Sequence, residues 1–487
     1  TLDATTSTIG TAIAPITFVG GSISDNGRLV AGSGVDLTTV GNGSVANLIF
    51  NNVAIDNNLP NNSQRNGLLY TILASGGTVN AAFTDGSISN NAVDAINGTI
   101  NGTGVANGSS STISLTGTIA DGSGSTGALF TVNNAGKLTL NVQDDAGAAS
   151  SISGSGADGI QINATGLNTQ VAATILNSVV QDNGANILAA SRNGVSGIFD
   201  NGAKGTLTVT GSTIGNTTGI QQDGIFLNLN GTTANLATDV IANVTNSDLS
   251  SNQASALEVI ATGTGVIPTN GAHITFDNVT ADSSGGMGVS LTANTAGLIN
   301  FTAQNLTSIS NSTQNGMFLS ASNANTLLTV NLVDAVVNNN GSNVFAGDGI
   351  NGTVLSGARL DLEGSSSIST TSFNGNKGDG IDIFVSGVNS RADVDLHNVT
   401  VGTTGSGNTL NGFQFQSLDG GEFNLQAYQT AFNSNGGAGL SGTVTNTAGV
   451  DTIGRIRIVG GSADSNTGSG FDLQGSNTTG GPTGIAT

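Results

Sequence analysis

The sequence predicts an all-β solenoid, one long stack of similar coils. Three observations lead there. A small residue followed by alternating apolar residues recurs fifteen times, at Gly27, Gly67, Ala95, Gly127, Gly159, Gly194, Gly224, Ala256, Gly288, Gly316, Gly349, Gly380, Gly412, Gly439 and Gly470. The first and last markers are 443 positions apart, giving roughly 31.6 residues per repeat. After each marker the apolar residues alternate, as in Ile381-Asp382-Ile383 and Phe413-Gln414-Phe415, which is the pattern of a strand with one buried face. No stretch of useful length has helical periodicity.

The elements follow in order within each repeat. The strand after the marker comes first. A second strand lies further on, as in His273–Phe276, Arg359–Leu362, Asp393–Leu396, Glu422–Leu425 and Arg455–Ile458. A shorter third segment follows, as in Asn278–Thr280 and Asn398–Thr400. Gly, Asn and Asp turns join them. Each repeat buries its apolar face only against its neighbours, so the 487 residues make one elongated body. Residues 27–474 form the solenoid, 1–26 a partial first coil or subunit contact, and 475–487, with Pro482, a Gly/Thr-rich tail or linker. The long repeats at Gly27–Gly67 and Gly159–Gly194 place loops at Asn57 to Arg65 and Ser178 to Arg192, unless a marker is misplaced.

Composition narrows the function. Net charge is −21, with 31 acids against 10 Lys and Arg. Such a chain lacks the cations that neutralise phosphates, which excludes nucleic acid, and it is unsuited to anionic membranes. Divalent cations and neutral or basic glycans are easier partners. There is no Cys, hence no disulfide or thiolate site. No apolar run is long enough to span a membrane. Few Lys, many Thr, Asn and Gly, and acidity together point to a secreted or cell-surface protein.

Two constellations carry chemistry. Asn376, Asn408, Asn435 and Asn466 each lie four residues before consecutive markers, so they would sit one above another. They form either a hydrogen-bonded ladder or a row of residues tolerating left-handed turns. Alignment of second strands puts Arg359 and Asp361 beside Asp393 and Asp395, then Glu422 and Asn424, then Arg455 and Arg457. Arg359–Asp393 and Glu422–Arg455 are then expected ion pairs. Asp361 and Asp395 are expected like charges side by side, unfavourable unless solvated or bridged by a cation such as Ca²⁺. The adjacent Asp144-Asp145 belongs in a turn, and His273 and His397 have no metal-ligand spacing. No catalytic residue or organic cofactor site is marked.

The run Asn-x-x-x-Gly-Φ-x-Φ, with Φ apolar, at Asn376–Ile383, Asn408–Phe415 and Asn466–Leu473 resembles the right-handed parallel β-helix proteins of the pectin-lyase-like superfamily. It is most similar to their repeat-rich, non-enzymatic bacterial surface and secreted members. The resemblance implies a single right-handed β-helix of about 14–15 coils, roughly 31 residues each. It implies a fibre, stalk or surface-layer element, adhesive or self-associating end to end, with another copy, the rest of a longer repeat protein or cell-surface glycans as partners. The alternative it implies is a polysaccharide lyase or glycoside hydrolase. Absence of Trp counts against a sugar-stacking groove.

Overall fold

A computed structural model describes residues 2–5, 8–9, 15–26, 32–40, 43–57, 64–73, 76–102, 108–186, 191–215, 221–231, 238–263, 271–342, 344–367, 370–446, 450–477 and 484–486. The chain is a parallel β-solenoid with about 32 residues per turn. It divides into two compact units, 1–253 and 254–487. Among the described residues there is no helix.

In the first unit the strands after the markers form one parallel sheet. It runs from Leu2–Thr5 through Val35–Val40, Leu68–Ile72, Ile96–Asn101, Ala128–Asn133, Ile160–Thr165 and Val195–Asp200 to Ile225–Asn230. A second parallel sheet is built from Val45–Asn51, Thr78–Thr84, Ser110–Thr116, Lys137–Gln143, Gln170–Leu176, Lys204–Thr210 and Asp239–Thr245. Ile16–Val19 pairs with the first of these strands.

The second unit repeats the plan. Its first sheet runs from Leu257–Thr262 to Phe471–Asn477 and its second from Ala272–Asp277 to Ile453–Val459. Of the tail, Gly484–Ala486 pairs with Ile453–Arg455, while 478–483 and 487 lie outside the described residues. The third segment is mostly a line of single parallel bridges, such as Thr280, Ser308, Val336, Ser372, Thr400, Ala431 and Ser462.

Alternation decides what is buried. In Ile381–Ser386 the residues Ile381, Ile383 and Val385 are fully buried, and those between them face outward. Turn chemistry closes each coil. The residue after the second strand takes positive φ, at Asn52, Asp85, Asn177, Asn246, Asn278, Asn305, Asp334 and Asn398, which accounts for much of the Asn and Asp. The core is stacked rather than pooled: Phe18, Phe50 and Phe83 stack face to face at 4.9 and 4.6 Å. Gly442 is glycine because a Cβ there would strike the Phe415 ring of the preceding coil.

The first marker needs correction. Gly27 lies outside the described residues, and the strand starts at Val35 after Gly34, whose Cβ position meets the Gly67 carbonyl at 2.9 Å. Gly34 to Gly67 is 33 residues, and the loop expected at Asn57 to Arg65 remains: Ala54 is bridged to Ser87 and Gln64 bonds Asn91, so ten positions on this coil match four on the next, and the six additional ones, 58–63, lie outside the described residues. The long repeat after Gly159 is real, since Ile160 pairs with Val195; residues 187–190 of its loop are not described.

Candidate functional site

Asn376, Asn408, Asn435 and Asn466 stand in one row. Each side-chain amide donates to the next Oδ1 at 3.0 Å, from Asn376 to Asn408, Asn408 to Asn435 and Asn435 to Asn466. Each next Oδ1 also accepts a backbone N–H, at 3.0, 3.2 and 2.8 Å. Asn340 joins the row, donating to Asn376 at 3.0 Å. None of these asparagines has positive φ; the left-handed asparagines are others, the corner residues named above among them. The first unit has its own row, where Gln64 donates to Asn91 at 2.8 Å and Gln221 to Asn252 at 2.9 Å. This row explains the marker. A Cβ on Gly380 would lie 2.7 Å from the Asn408 amide and 2.5 Å from the Gly412 carbonyl. The rows hold the backbone; they are buried except at Asn466, which is half-buried, and their amides are spent on one another and on backbone groups.

A second buried row escaped the sequence reading. Asp94, Asp158, Asp348 and Asp379 sit one residue before a marker and accept backbone N–H groups of the next coil at 2.9, 2.6, 2.8 and 2.6 Å. Burial raises all four carboxyls, to about 6 at Asp158 and Asp379. The signal was the Asp-Gly pair at Asp158, Asp348 and Asp379.

Chemistry that faces outward gathers on the second sheet of the second unit. Four of the chain's seven arginines, Arg359, Arg391, Arg455 and Arg457, lie on that face. The register pairs Arg359 with Arg391, Asp361 with Asp393, Glu363 with Asp395 and Ser365 with His397. On the next coil Glu422, Asn424, Gln426 and Tyr428 follow in the same four rows. The expected alignment is therefore slipped by two residues: Asp361 does not stand beside Asp395 but beside Asp393. Apolar alternation has period two, so an even slip leaves every core residue inside and alternation cannot choose the register. The side-by-side acid pairs are Asp361 with Asp393 and Glu363 with Asp395. The expected ion pairs nevertheless form diagonally, because arginine is long. Arg359 reaches Asp393 at 3.2 Å and Arg455 pairs with Glu422.

Arg391, absent from the sequence reading, is the hub. It binds Asp393 through Nε at 2.7 Å and approaches Glu422 at 3.8 Å. Arg359 donates to Asp361 at 2.7 Å, and Asn424 to Asp393 at 2.8 Å. Burial pushes the Asp361 carboxyl up despite its Arg359 bond. At Asp393 burial acts in the same direction, but bonds from Arg391 and Asn424 and the charges of Arg391 and Arg359 outweigh it and hold the carboxyl below its ordinary value. Glu422 is held low in the same way by Asn424, Arg455 and Arg391 against its burial.

An aromatic row borders the charges. His397 stacks on Tyr428 at 4.8 Å with planes 8° apart, and its Nε2 lies 2.9 Å from Asp395 Oδ1. The Arg457 guanidinium covers Tyr428 at 5.3 Å. Over the charged rows lies an open hollow of about 320 Å³, lined by Arg359, Arg391 and the acids of both pairs together with Asn331, Asn424 and Gln426; the His397–Tyr428 stack lies alongside it and not in its lining. Among the described residues no three His, Asp or Glu side chains are placed to hold a metal ion. His273 bonds Asn300 at 3.1 Å, and Asp145 closes a tight turn with Ala148. No described helix is long and apolar enough to cross a membrane.

No protein-family model matches the chain, and no curated protein matches it in sequence. Two solved structures are similar at low level. One is a TibC-catalysed hyper-glycosylated TibA fragment, at 12% identity and TM-score 0.30, covering 95% of this chain and 99% of the fragment. The other is the A-module of the mannuronan C-5 epimerase AlgE4 of Azotobacter vinelandii, at 11% identity and TM-score 0.29, covering 91% of each chain.

Proposed function

We propose that the chain is a secreted or cell-surface structural β-solenoid, a fibre, stalk or surface-layer element with an adhesive face. In this reading the buried amide rows and continuous backbone ladders supply stiffness. The adhesive face is the outer surface of the second sheet in the second unit, and its ligands are surface glycans.

The observation that carries the reading is the concentration of arginine, carboxylate and amide side chains around one open hollow, with the stacked His397–Tyr428 pair beside it on the same face. Such mixed donors and acceptors suit hydroxyl-rich ligands, and a preorganised face spends little entropy on binding. The test is a glycan array probed with the purified chain and with Tyr428→Ala. Signals that weaken in the variant support the reading; signals unchanged, or none at all, overturn it. Electron microscopy of the native material tests the structural half: fibres or ordered layers support it, and isolated particles at all concentrations count against self-assembly.

A further inference from the structure

We propose that the hollow takes a saccharide bearing a protonated amine, with the ammonium group between Glu363 and Asp395. This deepens the glycan-binding reading above and rests on it.

The register supplies the argument. Two acid pairs face each other across adjacent coils, Asp361 with Asp393 and Glu363 with Asp395, beside the arginine pair Arg359 with Arg391. Strands stack at ~4.8 Å, and like charges directly opposite are destabilising. The first pair is compensated from within. Arg359 binds Asp361 at 2.7 Å and Asp393 at 3.2 Å, and Arg391 binds Asp393 at 2.7 Å. The second pair is not. Asp395 has only His397, at 2.9 Å, and an imidazole is a cation only when protonated. Glu363 is exposed, without an ion pair among the described residues. One positive charge is thus wanted at one place on the rim of the hollow.

The surroundings define the rest of the ligand. Asn331 and Gln426 flank the acid pair along its row, and Asn424 lies in the row beside it. Amides at these places donate to and accept from hydroxyl groups. His397 is covered on one face by Tyr428, and on the other side its row continues to Ser365, a side chain too small to cover the ring. In the proposed complex a sugar ring lies against that face. A bare metal ion would want several oxygen ligands converging on a point. Here the acceptors are spread over neighbouring coils, which suits a ligand that is itself extended. A polyanion would meet the uncompensated carboxylates.

The test is titration calorimetry of the full chain at low salt and near neutral pH, where an amine oligomer still carries positive charge. The probes are a glucosamine hexasaccharide, its fully N-acetylated counterpart and Ca²⁺ alone. The amine oligomer is expected to bind, and the acetylated one about tenfold or more weaker, because it cannot form charge-assisted hydrogen bonds. Glu363→Gln with Asp395→Asn should remove that preference, and added salt should weaken binding.

Equal binding of the two oligomers, sensitive to Tyr428→Ala, would overturn the charge assignment while leaving the glycan reading standing. Binding of neither oligomer while other glycans bind would overturn the amine assignment. Failure of every glycan would overturn both. Ca²⁺ binding abolished by the double variant, without oligomer binding, would assign the acid pair to a metal. The comparison of oligomers uses the unaltered protein, so a misfolded variant cannot mask the result.

Discussion

Gly380 and Asn408 should be energetically coupled. A Cβ at Gly380 would lie 2.7 Å from the Asn408 amide nitrogen and 2.5 Å from the Gly412 carbonyl. Gly380→Ala should therefore cost roughly 1–3 kcal/mol, the range for overpacking a filled site. Asn408→Ser shortens the rung. It withdraws the acceptor from the Asn376 N–H and amide, and the donor from Asn435 Oδ1 and the Phe373 carbonyl. Asn376 keeps its amide bond to the Val337 carbonyl, so two or three buried groups are orphaned, a cost of roughly 3 kcal/mol.

The shorter serine also gives the new methyl room. The protein carries this combination already. Its two alanine markers, Ala95 and Ala256, are followed in the rung position by Ser123 and Ser284, never by Asn. The double variant should thus cost less than the sum of the singles by about 1 kcal/mol. Denaturant unfolding of the four proteins, followed by the β-sheet circular dichroism signal, measures the cycle. Strict additivity, or a Gly380→Ala variant as stable as the parent, would refute the coupling.

Other consequences follow from single groups. Asp382, half-buried beside Asp348 and Asp379, is pushed up to about 7 by burial and by those two charges. The unfolded chain ionises first, near 3.8, so this residue costs no stability below about pH 4, progressively more between pH 4 and 7, and its full cost above. The gap corresponds to roughly 4 kcal/mol, or roughly 2 after allowing for solvent screening. Asp382→Asn should match the parent at pH 4 and be more stable by about that amount at pH 8; thermal melts across pH would show it, and parallel curves would count against it. The Ser155 hydroxyl is buried without a hydrogen bond. Ser155→Ala should change stability by less than about 1 kcal/mol, since it orphans nothing; a larger loss in the same melts would mean that the hydroxyl has a partner. Arg391→Ala leaves Asp393 without its closest cation and should cost about 1 kcal/mol near neutral pH, less in high salt. Asp393, now held low, loses stabilisation as pH falls, so the parent and the variant should converge in acid. A pH-independent difference would show that lost packing, not charge, is responsible.

Much of this protein was legible in its sequence because each coil contacts only the coils next to it. The 31-residue period, alternation after each marker and turn residues at the corners are local signals, and in a solenoid local signals suffice for the architecture. The row of Asn376, Asn408, Asn435 and Asn466 could be placed because equal spacing from the markers puts residues at one height in each coil. The markers themselves were readable only by pattern. That Gly380 is glycine because Asn408 passes over it, and that Ala95 is admitted where Ser123 follows, required the stacked coils. The outer face shows the limit. Alternation assigned Asp361 and Asp395 to the surface but left their register open by two residues, since an even slip keeps Leu362 and Val394 buried. The turn between strands, Gly387 to Ser390, decides that Arg391 enters the sheet opposite Arg359. From that register alone come the arginine-held pair Asp361–Asp393 and the uncompensated pair Glu363–Asp395. Sequence by itself determined the coil, because burial repeats with the period of the chain. Which charges meet was decided only in the tertiary structure, because solvent-facing side chains are constrained by backbone registry and not by burial.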